Sequence, residues 1–374
     1  MKIVLAPDSF KGTMSSVEVC SIIEKAVLKN MPAAQVVKIP VADGGEGMVD
    51  AYLAGSGGSK VSATVTGPKF DKAEAFYGIL PDGKTAIIEM AAASGLLLAG
   101  DPKDPMNSTS FGTGELIADA AYRGCKKIIL GLGGSATMDG GIGMAAAMGV
   151  EFYDKEGNAV PPTPKGLANI ENISVQNVNQ ACNGAEFIIA GDVKNIICGP
   201  NGAAHVFGRQ KGAGEKQIRQ IDGALRKYVS LIKRQFGIDL AEMPGGGAAG
   251  GLALPLLAFF NAEIVSGIDL LLDIGEFDQK IQGADMVITG EGKLDRQSME
   301  GKVPIGVLRR AKKAGVPVVA VVGDVGEVYG QAYSEGMRAI FSTCKSAVPF
   351  EEAKKTAKED LFFLVDSLFR FKKI

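Results

Sequence analysis

Apolar positions follow one rhythm through both ends of the chain and a different one in between. Largely apolar runs at 2–6 and 36–42 near the start, and at 286–289, 317–322 and 338–341 near the end, each lead into a glycine or a polar residue within two positions. Helix-period segments lie between them, at 17–29 after Ser15-Ser16, at 48–54 and at 303–314, and a last helix closes the chain. Continuous rather than alternating apolar strands predict a parallel sheet covered on both faces. From 60 to 90 the pattern changes: 61–65 and 74–79 alternate, and Pro81-Asp82-Gly83 turns into 85–89, which reads as an antiparallel meander with a hairpin. Residues 91–110 read as irregular. Beyond them, Phe111 to Glu115 reads as the cap of a helix over 116–122, and further helices are expected at 144–148, 218–236 and 252–260, with strands at 128–130 and 187–190.

The predicted fold class is α/β with two α/β domains. Residues 1–60 and 281–374 form a discontinuous Rossmann-like domain with a mostly parallel sheet, and 61–280 form an inserted mixed α/β domain. The active site is expected in the cleft between them. A length of 374 residues agrees with two cores.

Composition narrows the function classes. Apolar residues make up 46% and charged residues 22%, with no apolar run of about 18 residues to suggest a membrane span. The N-terminus enters a strand pattern directly, so a cytoplasmic protein is expected. A net charge of −2 offers no electrostatic reason to expect nucleic acid or a membrane surface as partner. Cysteines at 20, 125, 182, 198 and 344 contain no C-x-x-C pair, and there is a single histidine, His205, so the usual zinc patterns are missing and free thiols are expected. Carboxylates, lysines and backbone amides are left to carry most of the chemistry.

Fifty glycines cluster at strand ends. The densest cluster runs from Ile128 to Gly143, an apolar strand feeding Gly133, Gly134, Ser135, Thr137, Asp139, Gly140 and Gly141 before a helix. Glycine turns at helix starts let backbone amides approach an anion, above all a phosphate, and equally serve as crowded strand-to-helix connections. Asp8, Ser9 and Lys11 follow the first strand; Asp43, Gly44, Gly45 and Glu46 follow the second; Asp192, Lys194 and Asn195 follow 187–190; Glu291, Gly292, Lys293 and Asp295 follow 286–289. Each cluster taken alone reads as well as a capped turn. Neither a Walker-type loop nor a G-x-G-x-x-G dinucleotide fingerprint occurs. Five acid- or glycine-bearing segments at strand ends point to one cleft assembled from both domains.

Pro7-Asp8-Ser9-Phe10-Lys11-Gly12, Ala42-Asp43-Gly44-Gly45-Glu46-Gly47, Gly133-Gly134-Ser135-Ala136-Thr137-Met138-Asp139-Gly140-Gly141, Cys198-Gly199-Pro200-Asn201-Gly202-Ala203-Ala204 and Gly290-Glu291-Gly292-Lys293-Leu294-Asp295-Arg296-Gln297-Ser298 occur in this order along essentially the whole chain. Together they resemble the bacterial glycerate kinase family. Met48, Met138, Gly191 and Arg209 depart from that family's usual Thr, Asn, Cys and Pro, and Met138 lies inside the glycine loop. The resemblance implies transfer of the ATP γ-phosphoryl group to D-glycerate at the 2-hydroxyl, with Mg²⁺ and with no nucleic-acid or membrane partner; it leaves a homo-oligomer open.

On that basis Gly133, Gly134, Ser135, Thr137, Asp139, Gly140, Gly141, Glu291 and Gly292 are expected at the nucleotide. Asp8, Ser9, Asp43, Gly44, Gly45, Glu46 and Asn195 are expected at the substrate. Asp192 is the expected base, Lys11 and Lys293 the catalytic cations, and Asp295 and Glu291 the metal ligands. A nicotinamide-dependent dehydrogenase and a non-catalytic metabolite-binding protein are the competing classes.

Overall fold

The computed structural model describes residues 1–42, 44–299 and 301–372. The chain divides into two compact units. One comprises Met1–Asp43, Asp50–Gly57 and Gly267–Ile374; the other comprises Gly44–Val49 and Gly58–Ser266.

The first unit opens with strands β1 (Lys2–Pro7) and β2 (Gln35–Lys38). The helix between them, Ser16–Asn30, starts as its sequence predicts. Ser15 Oγ accepts from Glu18 N at 3.2 Å, and Ser15 N donates to the Glu18 carboxylate at 2.9 Å. Such a reciprocal cap contributes about 1 kcal/mol. Strand β2 is shorter than the expected 36–42, although the backbone stays beside β1, with Ile39 N donating to Leu5 O at 2.8 Å and Val41 N to Pro7 O at 3.0 Å; Pro40 between them lacks an N–H where this edge strand has no neighbour to receive one.

The second unit contributes β3 (Ser59–Thr66), β4 (Lys72–Ile79), β5 (Thr85–Glu89), β6 (Lys127–Gly131), β7 (Glu151–Tyr153), β8 (Asn172–Ser174), β9 (Glu186–Ala190) and β10 (Glu263–Val265). Six of them form a mixed sheet in the order β10-β9-β6-β5-β4-β3. The expected meander is its antiparallel side, β3 with β4 and β4 with β5, and the remaining pairs are parallel. Strands β7 and β8 form a separate antiparallel pair.

The helix expected over 116–122 begins earlier and spans Phe111–Tyr122. Glycines that read as a turn lie inside it, because a Cβ at Gly114 would stand 2.1 Å from the Met144 carbonyl oxygen. The 91–110 segment also carries two short helices, Ala91–Ser94 and Leu96–Ala99. Helix Glu215–Phe236 buries Ile218, Ile221, Leu225, Tyr228 and Ile232 along one stripe and stops at Gly237 in the left-handed region, φ 77°.

The chain then returns to the first unit with β11 (Met286–Leu294), β12 (Val318–Val325) and β13 (Ala339–Ser342). The five strands are all parallel, in the order β13-β12-β11-β1-β2. Counted within this unit the order is 2-1-3-4-5, a doubly wound sheet whose switch point lies between β1 and β11. Helix Phe350–Phe371 lays Leu361, Val365 and Phe369 in one apolar cluster with Val19, Ile23 and Val27 of the first helix. The polar end of that contact is specific, with Asn30 Nδ2 donating to Asp366 Oδ1 at 2.9 Å and Arg370 Nε to Asp366 Oδ2 at 2.8 Å.

Cys20, Cys125, Cys182 and Cys198 are buried and Cys344 is exposed, all as free thiols. Burial pushes the Cys20 thiol up to about 12. No helix among the described residues is long and apolar enough to cross a membrane.

The Asp366 carboxyl is held down at about 2, first by Arg370 and then by Asn30. Its ionised form therefore stabilises the fold fully above the ordinary carboxylate value of about 4 and loses that contribution as pH falls toward about 2. Urea unfolding of Asp366→Asn followed between these limits should show a shallower loss of stability than the parent chain.

Candidate active site

Register alignment places the chemistry of each unit along one sheet edge. In the first unit Pro7, Gly290, Val321 and Phe341 stand side by side. Asp8 follows directly, buried, with its N–H donated to the Gly290 carbonyl at 2.8 Å and its Oδ1 accepting from Ser9 N at 2.6 Å. This is the switch point, where open α/β sheets take ligands. Lys11, two residues past Ser9, is exposed.

The segment expected as a loop after 289 is instead strand. Strand β12 runs alongside it, pairing Glu291 with Val322 and Lys293 with Asp324. Gly290 permits this, since a Cβ there would stand 2.0 Å from the Val321 carbonyl oxygen. Glu291 therefore projects from a fixed backbone, buried, and its Oε1 has no hydrogen-bond partner among the described residues. Burial pushes its carboxyl up to about 8; the Ser298 hydroxyl works against this and the Asp8 charge adds to it. Gly292 lies against the Phe10–Lys11 backbone.

Asp295 serves the turn that follows, where its Oδ1 accepts from Gln297 N at 2.9 Å and its N–H donates to Ser298 Oγ at 3.0 Å. Lys293 pairs with Asp324 at 2.9 Å, both side chains more than half exposed, a geometry that adds little stability.

In the second unit the aligned positions are Glu89, Gly131, Ala190 and Val265. The glycine loop leaves β6 here, and Asp192, half-buried, follows β9. Gly44–Val49 crosses the same edge. Gly133 N donates to Gly44 O at 3.1 Å, and a Cβ at Gly133 would stand 2.4 Å from Gly45 Cα. The buried Glu89 carboxylate accepts from Gly47 N at 3.2 Å and Val49 N at 2.7 Å. Glu46 is exposed. Asn195 fastens its own loop, Nδ2 donating to Asn201 O at 2.8 Å and its carbonyl accepting from Gly247 N at 2.9 Å. Asp43 lies outside the described residues.

Only the first part of the glycine loop reaches the surface. Gly134 is exposed and Gly133 half-buried, whereas Ser135, Thr137, Asp139, Gly140 and Gly141 are buried. Met138 is fully buried in an apolar cluster with Ile142, Leu225 and Tyr228, so its thioether fills core. Asp139 Oδ2 accepts from Ser110 N at 2.8 Å, Ser110 Oγ at 2.7 Å and Gly143 N at 3.3 Å, and Oδ1 accepts from Gly141 N at 3.1 Å. Burial pushes this carboxyl up while those donors pull it down. Thr113 Oγ1 bonds Ser94 Oγ at 2.9 Å, and Ser94 O accepts from Ala136 N at 2.9 Å, so Ser94 ties helix Phe111–Tyr122 to the residue after Ser135.

Sequence reasoning passed over Lys211. Its Nζ donates to Ser135 Oγ at 2.6 Å and to the Thr137 carbonyl at 2.8 Å, inside the unit that holds the loop. Gly208 and Gly212 flank its turn, but a lysine between glycines reads as surface.

The glycerate kinase family profile matches residues 3–373. The chain belongs to that family. It is 43% identical to the Escherichia coli glycerate 2-kinase over 362 residues, covering 96% of this chain and 95% of that one. It is 42% identical to a Bacillus cereus glycerate kinase at the same coverage. A crystal structure of a Salmonella typhimurium LT2 protein provisionally assigned as glycerate kinase 2 superposes with a TM-score of 0.88 at 40% identity, covering all of this chain and 98% of that one.

A family of kinases implies a divalent cation. Among the described residues no three His, Cys, Asp or Glu side chains gather as a ready-made metal cage. Mg²⁺ needs less: one or two carboxylates, with water and phosphate oxygens completing its shell. The unpartnered, buried Oε1 of Glu291, close enough to Asp8 to feel its charge, fits that requirement. Asp295 fits it less well, since its Oδ1 is engaged by a backbone amide.

Removing the Asp139 carboxylate would strand four buried donors. Asp139→Ala should lower unfolding free energy by about 3 kcal/mol or more, and Asp139→Asn by less, as read from the urea midpoint.

Proposed function

We propose that this protein transfers the γ-phosphoryl group of ATP to the 2-hydroxyl of D-glycerate, giving 2-phosphoglycerate and ADP. Family membership across the chain supports the reaction class. The observation that carries the assignment to residues is the edge of the second unit, where the Gly133–Gly134 tip and Asp192 follow the adjoining strands β6 and β9 and the 44–46 turn is hydrogen-bonded to Gly133.

Phosphoryl transfer asks a protein for positioning and charge neutralisation more than covalent chemistry. In this reading Asp192 accepts or orients the proton of the glycerate hydroxyl, its side chain half-buried at a fixed strand end. Gly44, Gly45, Glu46 and Asn195 position the hydroxyacid, with Asp43 assigned by motif alone. The backbone amide of Gly134, at the exposed tip, faces a phosphate where no side chain intervenes, while Gly133 spends its own amide on Gly44 and so sets the tip against the 44–46 turn. Ser135 stands at the buried end of that tip, and Thr137, Asp139, Gly140 and Gly141 hold its shape from below.

In the first unit Asp8 and Glu291 would hold Mg²⁺, with Asp295 supporting the turn beyond. When bound, the ion would neutralise phosphate charge. A buried carboxyl pushed up by desolvation, as Glu291 is, gains most from a cation. Gly292 keeps the strand close to the Asp8 loop, Ser9 shapes that loop, and Lys11 and Lys293 add positive charge at the same edge. The site is served by a chain we assign to the cytoplasm.

Incubation with ATP, Mg²⁺ and D-glycerate, followed by NMR of the product, should yield 2-phosphoglycerate; 3-phosphoglycerate would refute the regiochemistry and no phosphoglycerate the reaction. In single-turnover experiments Asp192→Asn, with unchanged circular dichroism, should slow transfer by about 10²- to 10⁴-fold. A rate near that of the parent would remove Asp192 as the base.

A further inference from the structure

Lys211 is 2% exposed, and among the described residues no carboxylate lies within 4 Å of its ammonium. Its two acceptors, the Ser135 hydroxyl and the Thr137 carbonyl, are neutral. A buried cation without a counter-charge is costly, and burial pushes this lysine down to about 7 while the more distant Asp139 charge opposes the shift. Buried groups perturbed in this way cluster at functional sites.

The surroundings indicate the ligand. Lys211 lines a small, partly open pocket of about 10 Å³ in the second unit, room for one water-sized atom, together with Lys69, Lys103, Asp104 and Ser108. Three of its nine lining residues are cationic, and four, Pro68, Leu96, Ala99 and Ala136, are apolar. Lys69 has no ion-pair partner among the described residues, and Lys103 pairs only with Asp101, at 2.9 Å, whose side chain is 85% exposed and shields it weakly. The single acid lining the pocket, Asp104, is exposed and accepts from Asn107 Nδ2 at 2.6 Å. Ser108 is buried and offers a hydroxyl. The resulting field favours a small anion, and the rigid back wall is the Ala136 backbone, held by Ser94 O at 2.9 Å.

We propose that this pocket is an oxyanion-binding site, which receives one oxygen of a carboxylate or phosphate group beside Lys211, with Lys103 and Lys69 facing the rest of the anion at the mouth. The carboxylate of a hydroxyacid and the phosphate of a nucleotide share this chemistry. The site itself stands on the pocket's own geometry; only its assignment to one of the reaction's ligands rests on the kinase reading above. Because Lys211 also bonds Ser135 and Thr137, an anion held there would be registered directly by the glycine loop.

Calorimetric binding of inorganic phosphate, D-glycerate and ATP separates the sources without requiring turnover, so failure of the kinase reaction and failure of this site are distinguishable. Two variants of the full chain are compared with the parent: Lys211→Met, which removes the buried charge, and Lys103→Glu, which reverses a partly exposed rim charge and leaves the loop's hydrogen bonds intact. The expected result is a loss of affinity of about tenfold or more in both variants for at least one probe. Loss for D-glycerate alone assigns the pocket to a carboxylate; loss for ATP or phosphate assigns it to a phosphoryl group. Affinities within twofold of the parent for all three probes in both variants would overturn the site. Loss confined to Lys211→Met, with Lys103→Glu unaffected, would overturn it equally, by reducing Lys211 to a structural tie. If Lys211→Met does not fold, Lys103→Glu decides alone.

Discussion

A single buried carboxylate organises the second unit. Asp139 draws together the N–H and hydroxyl of Ser110 with the amides of Gly141 and Gly143, and so binds the starts of helices Phe111–Tyr122 and Ile142–Ala147 to the loop that leaves β6. Ser110 Oγ completes the knot by accepting from Met144 N at 2.9 Å. Helix N-termini carry partial positive charge and unpaired amides, which lets a carboxylate sit here with no exposure to water. The loop beyond Asp139 cannot shift without stranding several of these donors, and the Gly133–Gly134 tip inherits that rigidity.

Rigidity of a different origin governs the first unit. There the backbone of Glu291 is paired with Val322 of β12, directly after the last pair of β11 with β1 at Gly290, and its carboxyl is buried. Its raised affinity for a proton, the Asp8 charge and the unpartnered Oε1 are aspects of one arrangement, acidic oxygen kept dry at a sheet switch point. The two units thus offer complementary chemistry: acids poised for a cation in one, amides and a buried ammonium suited to an anion in the other. Phosphoryl transfer requires both kinds.

The departures from the family pattern sort by burial. Met138, in the middle of the glycine loop, faces apolar core with Ile142 and Leu225, so a residue type that cannot hydrogen-bond is tolerated there. Arg209 is exposed and its guanidinium pairs with Glu215, an interaction available to a surface turn whether or not proline stands at that position.

The sequence alone determined the α/β class, the parallel strands, the antiparallel meander between 60 and 90, the capped first helix and the strand-end position of Asp8 and Asp192. These follow from periodicity and capping, which are local and survive without tertiary context. Its motifs also placed the chain in a family, since order and spacing along a whole chain are one-dimensional information. Tertiary structure decided what each motif residue does. Gly290 reads as a loop signal and is strand, because Val321 approaches too closely for any side chain; Gly114 reads as a turn and is helix, because Met144 does the same. Seven residues of one glycine loop divide into an exposed tip and a buried anchor, and Lys211, 72 residues beyond Asp139 in sequence, closes on that loop from another element. Burial and charge pairing are sums over contacts distant along the chain, and no local pattern encodes them.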